Sequence, residues 1–233
     1  MSIKLYELAA NEVDRRFSPS CWRIRMALVH KGLEAEHIPM RFTEKDIIAF
    51  SDQGRVPVLV DGDRTVVDSW QIANYLDETY PDKPSLLGDA ATRSLTLFVK
   101  HWDESVLPSL LFPLIILDIF QNIHDKDKDY FRTSREAALG KTLEEFADRD
   151  HDEALQAFRK ALNPLRNTLK DTPYLGGDRP AFADYILLGR FQIARCMSPV
   201  ILLESDDSIY GWRERMLDAF DGFARNVPAY PYR

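Results

Sequence analysis

Cysteine is scarce in this chain. Only Cys21 and Cys196 occur among 233 residues, too few and too far apart for the disulfide framework of a small secreted domain, which fits a reducing, cytoplasmic setting. The histidines, His30, His37, His101, His124 and His151, show no ligand-like spacing and no cysteine pair accompanies them, so no metal site is expected. Long apolar runs are also missing. The most apolar stretch, 106–120, is broken by Pro108, Pro113 and Asp118 and falls short of the roughly 20 residues that span a membrane. It reads as a buried helical segment. The first residues, MSIKLYELAANEVD, lack a basic start followed by an apolar run and read as a strand rather than an export signal. Positive charge is in deficit, with 30 Lys and Arg against 37 Asp and Glu and a net charge of -7. That balance argues against binding nucleic-acid phosphates or an anionic membrane surface, and leaves a small molecule as the expected ligand.

What is present is enough for a core. Hydrophobic residues make up 45% and charged residues 29%, the balance of a globular chain, and the length suits two domains of ordinary size. Residues 3–8 are β-rich, and Cys21, Ile24, Ala27 and Leu28 recur at helical spacing over 20–31 until Gly32 stops the helix. A short strand over 36–40 and a short helix over 44–50 follow. Val56 to Val60, an Asp61-Gly62-Asp63 turn and Arg64 to Val67 make a hairpin signal. Asp68 and Ser69 then cap a helix over 70–80. The order βαβαββα is that of a thioredoxin-like α/β domain, assigned to residues 1–81, with helices on both faces of a four-stranded sheet. After the interruption Tyr80-Pro81-Asp82-Lys83-Pro84 the pattern is helical throughout, and residues 90–233 are assigned to an all-helical domain. Helices are expected over 91–106, 115–122, 130–146, 152–169, 182–195 and 210–223, with the charge run 125–129 as a solvated loop.

Three short motifs could carry chemistry, and each has a purely structural explanation beside the functional one. Ser18-Pro19 at the first helix start is a good cap on its own. The same helix start, with its open N–H groups, favours a thiolate. Lowering a thiol pKa by about 2 units takes about 2.7 kcal/mol, which a hydroxyl hydrogen bond and helix-end N–H groups are able to supply. Val56-Pro57 opens the hairpin with a residue that has no N–H to give the ladder. With a cis bond there, the backbone of Val56 would be free to face an extended peptide ligand. Asp68-Ser69 at the next helix start is an ordinary cap, and equally a match for an amino-acid head group, with the ammonium on Asp68 and the carboxylate on Ser69 and the helix end.

The three motifs in this order resemble those of a glutathione transferase. In that family a Ser, Cys or Tyr near the first helix serves the glutathione sulfur, a Val-Pro pair holds the cysteinyl backbone and an acid-Ser pair binds the γ-glutamyl end. The resemblance therefore implies Ser18 in the catalytic place, Ser20 as a second hydroxyl, and Val56, Pro57, Asp68 and Ser69 as the glutathione contacts. The stretch SPSCWRIRMAL is similar to the serine and cysteine classes, zeta and omega, so Tyr6 is taken as a strand core residue. Closer still, FSPSCWRIRMALVHKGLE, VDSWQIANYLDETYPDKP, YLGGDRPAFADY and FDGFAR resemble the bacterial glutathione-dependent β-aryl etherases and the related fungal etherase-like transferases, over almost the whole chain. Two features depart from the pattern: the longer C-terminal tail of some etherases is missing, and Ala181 stands where most transferases cap a helix with Ser or Thr ahead of Asp184. Losing that cap should cost roughly 0.5 to 2 kcal/mol unless another group compensates.

The resemblance implies glutathione on the first domain and an aromatic electrophile between the domains, with Trp102, Leu107, Phe112 and Ile116 as candidate lining residues. The reaction would be conjugation, or displacement of an aryloxide from a β-aryl ether. It also implies a homodimer. A protein that only holds aromatic metabolites, with little turnover, fits the same residues. A thiol-disulfide enzyme fits less well, because Ser18 stands at the helix start and Cys21 only in the resolving position. Cys21 is expected beneath the site and Cys196 in the core.

Overall fold

The computed structural model describes residues 3–231. Strands β1 (Ile3–Leu8), β2 (Ala35–Met40), β3 (Val58–Asp61) and β4 (Arg64–Val67) form one sheet in the order β2-β1-β3-β4, with β1 and β2 parallel and the remaining pairs antiparallel. Alternation along the strands decides which layer each face meets. Ile3, Leu5 and Leu59 join the core made with helices α1 (Pro19–His30) and α2 (Ser69–Thr79), through Ile24, Leu28, Ile72 and Leu76. Met40 and Val58 pack instead on Ile48, in a 3-10 turn over Lys45–Ser51. Tyr6 belongs to this second layer, its ring 5.4 Å from that of Phe50. This is a thioredoxin-like α/β arrangement.

The register aligns one end of the sheet. Leu8 lies opposite Met40, Tyr6 opposite Val58 and Val58 opposite Val67, so the chain leaves β1, β2 and β4, and enters β3, along the same edge. The segments at that edge carry Ser18, Val56-Pro57 and Asp68-Ser69.

The rest is helical: α3 (Ala90–Asn122), α4 (Asp125–Leu139), α5 (Leu143–Ala147), α6 (His151–Ala161), α7 (Asn163–Thr168), α8 (Phe182–Met197) and α9 (Ser208–Gly222). Every residue of α8 is buried, which makes it the axis of this half. Among the described residues no helix is long and apolar enough to cross a membrane.

Several expectations fail here: the helices expected over 130–146 and 152–169 are each two shorter ones, α4 with α5 and α6 with α7. The break between helices near Val106 does not occur: α3 runs 33 residues straight through Pro108 and Pro113. Each proline removes a backbone donor, at a cost of about 3 kcal/mol in an isolated helix. Burial of Leu107, Leu111, Ile115, Ile116 and Ile119 along the same stretch outweighs that cost, at about 1.5 to 3 kcal/mol per side chain. The charge run 125–129 is not a loop either. It forms the first turn of α4, and Asp127 within it is fully buried, accepting from Phe42 N and Thr43 N at 3.0 Å each and from Thr43 Oγ1 at 2.7 Å. An acid in the first helical turn is stabilised by the helix dipole, and this one also ties α4 to the segment leaving β2.

The two halves meet around a second buried carboxylate. Asp103 of α3 is 0% exposed and accepts from Arg23 Nη2 of α1 and from Arg190 Nε of α8, at 2.7 Å each. Arg23, itself 1% exposed, also reaches Glu104 at 3.0 Å and Ser69 Oγ at 3.3 Å. Four helices therefore share one charge cluster. Beside it α8 approaches the start of α1 so closely that a Cβ on Gly189 would lie 2.6 Å from the Pro19 carbonyl oxygen. Only glycine allows that distance.

The missing cap at Ala181 is compensated. Asp184 accepts from Ala181 N at 3.0 Å, Leu175 N at 2.8 Å, Gly176 N at 3.0 Å and Trp212 Nε1 at 2.8 Å, so the carboxylate holds the whole turn that precedes α8.

Asp103→Ala leaves two buried guanidinium groups facing each other, and we expect it to destabilise the fold by about 3 to 5 kcal/mol. Urea unfolding of the variant measures this, and a midpoint equal to that of the parent would remove the cluster from its structural role.

Candidate active site

Ser18 precedes α1 with extended backbone (φ -61°, ψ 123°), and its Oγ accepts a long 3.4 Å bond from Cys21 N. Pro19 occupies the first helical position, where the missing donor costs nothing. Ser18 also lines a cavity of about 520 Å³. Ser20, one residue into the helix and half-buried, does not line it. Leu8 and Phe17 form the cavity's wall on the sheet side; Phe112, Ile116, Phe131 and Phe146 form the wall on the helical side. The space is thus shared between the two halves, with Ser18 at the start of α1 and rings from both halves on its lining.

Of the four residues expected to line an aromatic site, the structure brings two to this cavity. Phe112 and Ile116 sit on it, with Pro108 one turn before Phe112 on the same stripe of α3. Leu107 is 0% exposed and points into the helical core. Trp102 lines a separate hollow of about 230 Å³ with Phe98 and Leu175. Helical phase explains the difference. Residues 108, 112, 116 and 119 share one face of α3, whereas 107 and 111 face α8 and its neighbours. This division depends on an uninterrupted helix through two prolines, where the sequence pattern alone predicts a break.

The Val56-Pro57 bond is cis, and Val56 lies just outside the β3 ladder, which begins at Val58. Asp68 adopts φ +68°, a left-handed conformation uncommon outside glycine, and its Oδ1 accepts from Trp70 N at 2.9 Å and Gln71 N at 3.1 Å. The carboxylate is exposed. Ser69 is 3% exposed, and its hydroxyl accepts the 3.3 Å bond from Arg23, so it has only its own proton to offer an incoming carboxylate.

Beneath the site lies a buried charge group. Glu7 of β1 pairs with Arg25 at 2.8 Å, His37 at 2.9 Å and Arg16 at 3.6 Å. Burial works against its charge, yet the His37 hydrogen bond and the cations of Arg25 and Arg16 hold it below the usual carboxylate range. Cys21 sits close by and is fully buried. Burial first, then the negative charge of Glu7, push its thiol up to about 12 against a weaker opposing pull from the Ser18 hydroxyl. A neutral, enclosed thiol is no nucleophile. Among the described residues no group of three or more His, Cys, Asp or Glu is placed to hold a metal.

Residues 13–84 match the family model for the glutathione S-transferase N-terminal domain and residues 94–221 the model for its C-terminal domain. The chain belongs to the glutathione S-transferase family. Among curated proteins it is similar to glutathione S-transferase Z2 of Arabidopsis thaliana, 35% identical over 109 residues, 45% of this chain and 47% of that one. It is likewise similar to a zeta-class glutathione S-transferase of Euphorbia esula, 31% identical over 116 residues, 47% of this chain and 50% of that one. The chain thus spans about half the length of these curated relatives. Among solved structures, a glutathione S-transferase of Ceriporiopsis subvermispora in complex with glutathione superposes with a TM-score of 0.78 at 21% identity, covering 96% of this chain and 98% of that one. At that identity the likeness concerns the fold. In this glutathione S-transferase family member, then, Leu8, Phe17, Ser18 and Phe42 line the cavity from the N-terminal half, and Phe112, Ile116, Phe131 and Phe146 from the C-terminal domain.

Cys196 is also fully buried, and burial pushes its thiol up to about 12. Both thiols should therefore resist iodoacetamide at pH 8 in the native protein and react once it is unfolded. Intact mass measures this, and rapid native labelling of Cys21 would mean that the thiol, and not the hydroxyl, is the reactive group of the helix start.

Proposed function

We propose that this chain is a serine-type glutathione transferase. Glutathione would bind along the sheet edge, its cysteinyl backbone at Val56 and Pro57, its γ-glutamyl ammonium at Asp68 and its carboxylate at the start of α2 with Ser69. Its sulfur would reach Ser18. The observation that carries this reading is Ser18 at the N-terminus of α1, lining a largely apolar cavity. A hydroxyl donor and the positive end of a helix favour the thiolate over the thiol, and so raise the share of the nucleophile at neutral pH. The Ceriporiopsis subvermispora structure, solved in complex with glutathione, supports the choice of ligand.

The electrophile would be aromatic. Phe112, Phe131 and Phe146 supply faces against which a ring packs with offset or edge-on geometry. The thiolate forms a C–S bond to the electrophilic carbon, and the leaving group departs with the bonding pair. For a β-aryl ether that group is a phenolate, whose ordinary pKa near 10 lets it leave without a buried general acid. Etherase-like cleavage is the finer part of the proposal, supported by the sequence stretches from Phe17 to Arg225. Ser20 is retained only as an auxiliary donor near the sulfur, since it does not border the cavity. A homodimer in a cytoplasmic setting completes the reading, supported by Leu95 and Phe98, which α3 leaves 68% and 71% exposed.

Ser18→Ala should lower turnover of glutathione with an aryl halide at least tenfold while the fold survives, because a lost cap costs only about 1 kcal/mol. Steady-state rates against the same halide and a fluorogenic β-aryl ether measure both levels of the proposal. Full activity in the variant would make Ser18 a cap alone. Phenol release no faster than in the variant, with normal halide conjugation, would reduce the protein to an ordinary transferase. A protein that binds aromatic dyes tightly and turns over neither substrate would be a carrier.

Asp68→Ala should weaken glutathione binding by calorimetry and leave the affinity for an aromatic dye close to that of the parent. Equal losses for both ligands would trace the effect to the fold.

A further inference from the structure

The proposed acceptor cavity is lined by positive charge that has no ion-pair partner among the described residues. Its described lining includes two arginines, Arg135 and Arg149, and no Asp or Glu, in a chain where acids outnumber bases 37 to 30. Arg132, one turn earlier on α4, shows what the alternative looks like: it is held by Glu136 and Glu144 at 2.8 Å each. Arg135 has no such partner among the described residues. Its guanidinium lies 5.2 Å from the Phe42 ring centroid and 4.8 Å from that of Phe131, and Nη1 donates to Ser134 Oγ at 2.9 Å. Two rings thus hold a planar cation at the cavity wall with most of its donors unspent. Arg149, exposed, stands at the cavity with its guanidinium 5.6 Å from the Phe146 ring centroid.

A half-buried guanidinium without a counterion is unfavourable: burial lowers the Arg135 pKa, and the nearby charge of Arg55 adds to the effect against a larger opposing pull from Tyr130. An anion entering the cavity would relieve both. Resting on the reading of this cavity as the electrophile site, we propose that Arg135 is a specificity-determining residue and that the preferred acceptor is an aromatic compound carrying an anionic group such as a carboxylate. The ring would lie among Phe112, Phe131 and Phe146, and the carboxylate would take the free edge of Arg135, with Arg149 adding attraction from the rim. A planar fork of donors suits a carboxylate in two-point contact. Glutathione carries carboxylates too, so the competing assignment is that Arg135 serves the peptide.

The test compares 4-chloro-3,5-dinitrobenzoate with the matching uncharged benzamide. In both, the glutathione sulfur replaces chloride on the ring, and each enzymatic rate is divided by the uncatalysed one. The parent should favour the acid, and in Arg135→Gln the acid-to-amide ratio of kcat/KM should fall tenfold or more, with part of it restored in Arg135→Lys. The KM for glutathione, measured with the amide, should stay within twofold in both variants. An unchanged ratio would overturn the proposal, as would a raised glutathione KM at constant ratio, which would assign Arg135 to the peptide. Calorimetry of 4-nitrobenzoate against 4-nitrobenzamide without glutathione separates this result from failure of the transferase reading. Preference for the benzoate that is lost in Arg135→Gln supports the anion site even in a protein that conjugates nothing, and equal binding of the two contradicts it.

Discussion

Asp103, buried between Arg23 and Arg190, fixes how the helical half sits on the sheet half. A single buried carboxylate would be costly to hold charged, and so would either arginine; together, at 2.7 Å each, they are tolerable only in one relative arrangement. Arg23 extends the constraint to Ser69 at the start of α2. Gly189 closes the other side by letting α8 touch the Pro19 carbonyl at the start of α1. Both helix starts that flank the candidate glutathione site are thereby braced by the same seam. The cavity is what remains between the halves once that seam is closed.

The helix starts themselves show how much chemistry local structure can offer at little cost. Ser18 is first a cap, and it lines the cavity because α1 begins at the sheet edge. Cys21, three residues on, has turned inward, where burial and Glu7 keep its thiol protonated. The same helix therefore separates an accessible hydroxyl from an inert thiol by less than one turn. Asp68 is comparable: its left-handed backbone is held by two bonds to its own carboxylate, and the group left facing water is an acid.

Much of the first half was legible from sequence because its signals are local. Period-two strands, the Asp61-Gly62 turn and the caps at Ser18 and Asp68 are each decided by neighbouring residues, and the strand order follows once they are in place. The helical half was harder. Pro108 and Pro113 look like breakers, and only the long-range burial of α3 overrules them. Asp127 looks like part of a solvated charge run until the segment after β2 arrives to bond it. Hydrophobicity alone groups Trp102 and Leu107 with Phe112 and Ile116, whereas helical phase across an unbroken α3 divides them. Arg135 and Arg149 carry no sequence signal: an arginine without an ion-pair partner is defined by what is absent around it in space, and no spacing along the chain announces that.

The account depends on one placement, glutathione sulfur at Ser18 with its electrophile in the cavity beyond. A crystal structure with S-(4-nitrobenzyl)glutathione tests it directly. The account predicts the thioether sulfur within about 3.5 Å of Ser18 Oγ, the γ-glutamyl ammonium at Asp68 and the nitrobenzyl ring against Phe112, Ile116 and Phe146. A conjugate whose sulfur lies away from Ser18, or whose ring occupies the separate hollow at Trp102, would contradict it.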